Sequence, residues 1–273
     1  MMLLREKLVQ LRKDNRAILA ANYYNFETLR AVVNAAKIMG EPVILQLSES
    51  SINYMGIETA VAMARAQIRK ESFEAWIHLD HGKDPELAKQ CIDAGFDSVM
   101  IDGSHLPYDE NVKITREVVK IALRKQVCVE AELGYVAKLG QEHRLEYTSP
   151  QQARLFVEST GVDALAIAIG SAHGFYKKEP KLALDVLSEI QQVTPAALVL
   201  HGSSGIPHDQ IQEAIRLGIN KVNLATEIKN LFMRSLGSLL KTTNEIDLRI
   251  VFPEAIEKVS ELIRTKLKVI KDA

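Results

Sequence analysis

The sequence predicts a single (β/α)8 barrel, the TIM-barrel architecture, with extra helices at the C-terminal end. Three observations predict it. Short apolar runs alternate with longer amphipathic stretches eight times, at about 30-residue spacing. The length, 273 residues, is close to the ~250 typical of that architecture. The residues that end the apolar runs are of few kinds, mostly His, Asp, Glu, Asn and Ser, at the positions where such a barrel gathers its functional groups. A doubly wound sheet is the competing arrangement. It is disfavoured because no strand is followed by a G-x-G-x-x-G turn.

The strands read in order are AILAA (17–21), VILQL (43–47), WIHL (76–79), SVMID (98–102), VCVEA (127–131), ALAIAI (164–169), ALVL (197–200) and KVNL (221–224). Near-continuous apolar runs of this kind suit parallel strands buried on both faces. Helical patterns lie between them, at 27–40, 85–95, 111–125, 150–161 and 208–218. Several stop at glycine and some start at proline, as helices do. The tail from Asn244 adds further helix, and residues 1–273 read as one domain without a linker or low-complexity segment.

Bulk properties narrow the function. The chain is 47% hydrophobic with a formal net charge of −1 and no basic run, which argues against nucleic-acid binding. The first residues have helical spacing rather than the continuous apolar stretch of a signal peptide, and no 18-residue apolar run suits a membrane span. Cys91 and Cys128 cannot make a disulfide framework, and Cys128 lies in an apolar strand. A reducing, cytoplasmic location is expected.

Three histidines sit where strands run out: His81 in AWIHLDHG, His173 in ALAIAIGSAHG and His201 in ALVLHGSSG. Alone, each reads more readily as a hydrogen-bonded structural residue. Together at one rim, with Asp80 directly before the first, they suit a catalytic metal ion with an open position. Asp80 can exchange a proton with a substrate hydroxyl. Asp102 and Glu132 can orient ligands or hold a second cation. His78 reads as a core histidine, and His105, His143 and His208 as structural or solvated.

HGSSGIP (201–207) and VNLATEIK (222–229) are turns that lead into helices, where free N–H groups favour an anion. Simple helix capping is the other reading of each. Two such turns after strands seven and eight point to a phosphorylated substrate. Schiff-base chemistry is disfavoured: strand six has no lysine, and Lys221 opens strand eight at the end away from the rim.

IHLDHG, SVMIDGSH, VEAELG, DALAIAIGSAHGFYK, LHGSSGIP and KVNLATEIK, in that order, resemble the motif series of the class II, zinc-dependent fructose-/tagatose-bisphosphate aldolases. NYYNFETL and PVILQLSESSINYMG resemble that family's N-terminal segment. The resemblance implies reversible cleavage of a ketose 1,6-bisphosphate to dihydroxyacetone phosphate and glyceraldehyde 3-phosphate, by a homodimer or homotetramer. It implies Zn2+ on His81, His173 and His201, with Asp102 and Glu132 near the metal and sometimes at a second divalent or monovalent cation. It gives Asp80 the C4 hydroxyl proton, and Glu142 the proton at C3. Gly174, Lys177, Gly202, Ser204 and Thr226 match the dihydroxyacetone phosphate site, and Asn223 a substrate-contacting asparagine. Asn25 and Ser48 match residues near the distal half. Lys229 is placed to meet the distal phosphate, and Arg249, in DLR (247–249), matches a ligand of that phosphate that reaches a neighbouring subunit.

Three departures bear on substrate. YVAKLGQEHRLEYTSP (135–150) replaces a loop usually close to GGQED, with a shorter remainder. Ser203 stands where glycine is commoner. Ala225 stands where many fructose-bisphosphate enzymes carry aspartate, and alanine there occurs on the tagatose side. An aldolase for another phosphorylated or sulfonated ketose, or for a deoxy-keto acid phosphate, is therefore a second expectation. A non-catalytic sugar-phosphate-binding paralogue is a third.

Overall fold

A computed structural model describes residues 2–134, 136, 147–176 and 179–273. Its eight strands close into one parallel barrel in sequence order. They are β1 (Ile18–Asn22), β2 (Val43–Ser48), β3 (Ala75–Gly82), β4 (Ser98–Ile101), β5 (Cys128–Leu133), β6 (Ala164–Ile167), β7 (Ala197–Leu200) and β8 (Ile219–Leu224). Closure comes from β1 against β8, with Ile18 opposite Lys221 and Ala20 opposite Asn223. Each sequence-read strand overlaps one of these.

Eleven helices are found among the described residues. α1 (Leu4–Lys13) precedes the barrel. α2 (Phe26–Met39), α3 (Glu49–Met55), α4 (Ile57–Glu71), α5 (Pro85–Asp93), α6 (Tyr108–Leu123), α7 (Pro150–Thr160), α8 (Leu184–Val193), α9 (His208–Arg216) and α10 (Thr226–Leu239) fill the connections. α11 (Leu248–Lys271) follows and packs against α2 and α10. The caps are those the chain predicts: Asn25 caps α2, Gly40 ends it in the left-handed region, and Asp84 followed by Pro85 starts α5. No described helix is long and apolar enough to cross a membrane. Cys91 and Cys128 are buried free thiols.

Two apolar cores hold the barrel. The larger lies between the strands' outer faces and the surrounding helices. The smaller fills the barrel's N-terminal end, where Leu4, Leu8 and Leu11 of α1 meet Ile18, Ile44, Trp76 and Val199. Burying each leucine contributes about 1.5–3 kcal/mol. The Trp76 indole N–H donates to Met2 O at 3.0 Å, and Arg5 pairs with Asp163 at 3.1 Å, which fixes the plug.

Above that apolar floor the inward positions turn polar. The residues are Asn22, Gln46, His78, Asp80, Ser98, Glu130, Glu132, His201, Lys221 and Asn223, all buried. One sequence expectation is corrected here. β8 begins at Ile219, so Lys221 does not open it. Its long side chain climbs the barrel interior and ends beside Glu130, 2.7 Å away.

Candidate active site

The rim is built around a bulge in β3. In a regular strand Asp80 and His81 would point to opposite faces. The ladder to β4 instead shifts register between Leu79 and Gly82. His81 has φ of 52°, in the left-handed region that L residues enter at a cost of order 1–3 kcal/mol. The bulge lets both side chains reach the rim, and β3 continues through them to Gly82. Gly82 is required there, because a Cβ would lie 2.7 Å from Met100 O.

His81, His173 and His201 converge. Their ring centres lie 4.8, 4.6 and 5.8 Å apart, and one nitrogen of each falls within 4.8 Å of the others. Carboxylates set the ring orientations. His81 Nδ1 is 2.8 Å from Asp102 Oδ2, and His201 Nε2 is 2.9 Å from Glu130 Oε1. Each of those nitrogens therefore carries a proton, and His81 Nε2 faces His201 Nδ1 at 2.9 Å. Two lone pairs so close repel unless a proton or a cation lies between them. This donor set fits a metal ion held by three imidazoles, with His81 and His201 each oriented from behind by a carboxylate. A second group, His81, Asp102 and Glu132, also lies within reach of one cation. Glu132 Oε2 is buried there without a hydrogen-bond partner among the described residues.

The electrostatics agree. Burial works against charge on His81, but Asp80 and the Asp102 hydrogen bond outweigh it and raise its pKa to about 10. Burial, with the charges of His81 and Lys221, pushes His201 well below its usual value, so it stays neutral, as a ligand must. Burial and Asp102 push Glu132 up to about 8. Asp80 behaves oppositely: burial would raise it, yet His81, His201, Lys221 and the Asn22 hydrogen bond lower it. It is a carboxylate at neutral pH, and a base.

Asp80 is also held in place. The Asn22 amide donates to Oδ2 at 2.8 Å and the Asn223 amide to Oδ1 at 3.4 Å. Gln46 in turn donates to Asn22 Oδ1 at 3.0 Å. Beside this cluster, Gly202, Ser204 and Thr226 line a small polar recess with Gly174. Gly202 has φ of +67°, and a Cβ on it would meet Ala172 O at 2.4 Å. The Tyr176 hydroxyl accepts from Ala172 N–H at 2.7 Å and donates to Gly202 O at 2.8 Å, tying the two loops together. The recess opens into a cleft of about 490 Å3 lined by Asp80, His81, Asp102, Glu132, His173 and Lys229.

The family model for class-II fructose-bisphosphate aldolase matches residues 3–273. The chain belongs to the class II fructose-bisphosphate aldolase family. A 6-phospho-5-dehydro-2-deoxy-D-gluconate aldolase of Bacillus licheniformis is 40% identical over 271 residues, 97% of this chain and 93% of that one. The crystal structure of the YdjI aldolase of Escherichia coli K12 superposes with a TM-score of 0.87 at 32% identity, covering 98% of this chain and 96% of that one. A putative fructose-1,6-bisphosphate aldolase of Coccidioides immitis gives 0.88 at 27% identity, covering 97% and 95%. The protein is thus an aldolase, a carbon–carbon lyase of a metal-dependent class.

Not every residue expected at this aldolase site is brought to it. Ser48 lines the cleft and also caps α3, its Oγ accepting from Ser51 N–H. Asn25 does not reach Asp80: its Oδ1 accepts from Thr28 N–H and Thr28 Oγ1 as the α2 cap, and it borders an adjoining groove instead. Lys229 joins cleft and groove, its Nζ 5.8 Å from the centre of the Tyr24 ring. Arg249 points outward, its side chain 89% exposed and paired with Asp247 at 2.7 Å. Glu142 and Lys177 lie outside the described residues. Ser203 is buried and donates to Asn223 O, so its side chain serves the turn itself. His78 is the core histidine expected, whereas the exposed His105 borders the cleft.

Asn22, Gln46, Glu130 and Lys221 were missed as members of the site. A signal existed for Glu130. VEAEL places Glu130 and Glu132 on one face of an apolar strand, and two inward carboxylates need two partners.

Proposed function

We propose that this aldolase reversibly cleaves a ketose 1,6-bisphosphate, fructose- or tagatose-1,6-bisphosphate, to dihydroxyacetone phosphate and glyceraldehyde 3-phosphate. The observation that carries the reading is Asp80, an oriented buried carboxylate, set between the three-histidine cluster and the glycine-rich recess. His81, His173 and His201 hold the metal, with zinc the ion that three imidazoles suit best. When bound, it supplies a Lewis acid that polarises the substrate carbonyl. Asp102 and Glu132 suit a second cation, divalent or monovalent.

The chain's own groups do the rest. The C1 phosphate sits against Gly174, Gly202, Ser204 and Thr226, and Lys177, outside the described residues, is assigned to the same phosphate. Asp80 takes the proton of the C4 hydroxyl. The C3–C4 bond then breaks, C4 becomes the aldehyde carbon, and the electron pair stays with the C3 fragment. Glu142 returns a proton to C3. Holding phosphate and C4 hydroxyl at once orients the substrate against Asp80. Lys229 and Lys83, which line the same cleft, meet the distal anion. Ala225, which borders the cleft without a polar side chain, leaves C4 stereochemistry loosely restrained, so that fructose- and tagatose-1,6-bisphosphate both suit the site. Two buried free thiols suit a reducing, cytoplasmic setting. The outward Arg249 suits a homodimer or homotetramer in which it serves a neighbour's site.

A second reading is favoured by the relative that is 40% identical and named for 6-phospho-5-dehydro-2-deoxy-D-gluconate. In that reading Lys229 meets a carboxylate, and the aldehyde product is a short semialdehyde acid. Cleavage rates on fructose-1,6-bisphosphate, tagatose-1,6-bisphosphate and the deoxy-keto acid phosphate separate the two. The bisphosphates should give the higher kcat/KM. A preference of a hundredfold or more for the keto acid would replace the first reading with the second.

A further inference from the structure

Beneath the three histidines lies a buried polar chain, Glu130, Lys221 and His78, that the aldol chemistry does not itself use and that ends on His201. Glu130, Lys221, His78 and His201 are each no more than 1% exposed. Glu130 Oε1 lies 2.9 Å from His201 Nε2, and its Oε2 lies 2.7 Å from Lys221 Nζ. Lys221 Nζ is also 3.3 Å from His78 Nε2, and His78 Nδ1 is 2.9 Å from Ser98 Oγ. A lysine ammonium only donates, and a carboxylate only accepts. The direction of every bond follows. Lys221 donates both to His78 and to Glu130, so His78 carries its proton on Nδ1 and gives it to Ser98. His201 donates from Nε2 to Glu130.

A buried ion pair is a poor way to stabilise a barrel interior, because apolar residues of similar volume do as well or better. Removing two such charges from water calls for another return. We propose that Glu130 and Lys221 are positioning residues that lock His201 in the Nε2–H tautomer, so that Nδ1 presents its lone pair towards His81 and the metal. This rests on the reading of His81, His173 and His201 as metal ligands.

The consequence is specific and counter-intuitive. Glu130→Gln is nearly isosteric, yet Lys221 can only donate, so the new amide must turn its oxygen to Lys221. Its NH2 group then faces His201 Nε2 and forces the opposite tautomer, with a proton on Nδ1 where the ion should bind. Adding Lys221→Met frees the amide to turn over, and its oxygen again accepts from His201 Nε2–H.

The experiment measures zinc affinity by chelator competition, with circular dichroism confirming the fold of each variant. Glu130→Gln should bind zinc about ten- to a hundredfold more weakly than wild type. Glu130→Gln with Lys221→Met should regain most of that loss, although it departs further from the natural sequence. Unchanged affinity in the single variant, or a double variant as weak as the single one, would overturn the inference. If wild type fails to bind zinc, the ligand reading falls first and this one with it. A second measurement needs no variant. Nitrogen-15 spectra of histidine-labelled wild type should show the proton of His201 on Nε2, and a proton on Nδ1 would refute the lock.

Discussion

His81 Nε2 and His201 Nδ1 face each other across 2.9 Å, and each ring has given its other nitrogen to a carboxylate, Asp102 or Glu130. Without metal, a proton on His81 relieves the contact, in keeping with a pKa raised to about 10. An incoming ion must displace that proton. Below about pH 10 the proton competes, so affinity should climb as pH rises from about 6 to about 9. Calorimetry in two buffers of different ionisation enthalpy should show about one proton released per ion near neutral pH. A pH-independent affinity would contradict this.

Asp80→Ala should keep the metal and lose the chemistry. Its carboxylate touches Asn22 and Asn223 and is not one of the three converging imidazoles. A positioned acid–base group contributes roughly 10²–10⁴-fold. Turnover should fall by about that factor while zinc content by atomic absorption stays at the wild-type level. Retained turnover removes Asp80 from the mechanism.

Gly202→Ala tests the phosphate recess. The new Cβ would press on Ala172 O at 2.4 Å, in a left-handed backbone. A stability loss of about 1–3 kcal/mol is expected. KM for the phosphorylated ketose should rise with it, while zinc affinity holds. An unchanged KM would place the phosphate elsewhere.

Lys229→Met addresses the distal end. The side chain lines both cleft and groove and is not one of the groups that converge on the metal. Losing one charge-assisted contact should raise KM for a ketose 1,6-bisphosphate roughly ten- to a hundredfold. Substrates whose far end is a neutral hydroxyl should be nearly indifferent. Equal effects on both would take Lys229 out of substrate selection.

Much of this was legible in the sequence, for physical reasons. Parallel strands buried on both faces read as bare apolar runs, so all eight could be marked from composition alone. His81, His173 and His201 stood out because imidazoles at strand ends interrupt those runs. The bulge at Asp80 and His81 was not legible, because register belongs to the partner strand, β4, rather than to the local pattern. Alternation set Asn22 inward with Ala20, yet Asn25, just past the strand, was the residue expected near the distal half of the substrate, and it is the α2 cap. Lys221 misled because strand position says nothing about the reach of a four-carbon side chain. Arg249 carried a motif-like neighbourhood, but its surroundings within one chain are solvent and Asp247.

Aldol cleavage that depends on a metal at His81, His173 and His201 is tested most directly by removing and restoring that metal. A coupled assay follows dihydroxyacetone phosphate release before chelation, after it, and after adding Zn2+. Activity should vanish with chelator and return with zinc, and substrate with borohydride should leave no covalent adduct. Activity that survives chelation and is trapped by borohydride would contradict the metal site and point to an imine on a lysine.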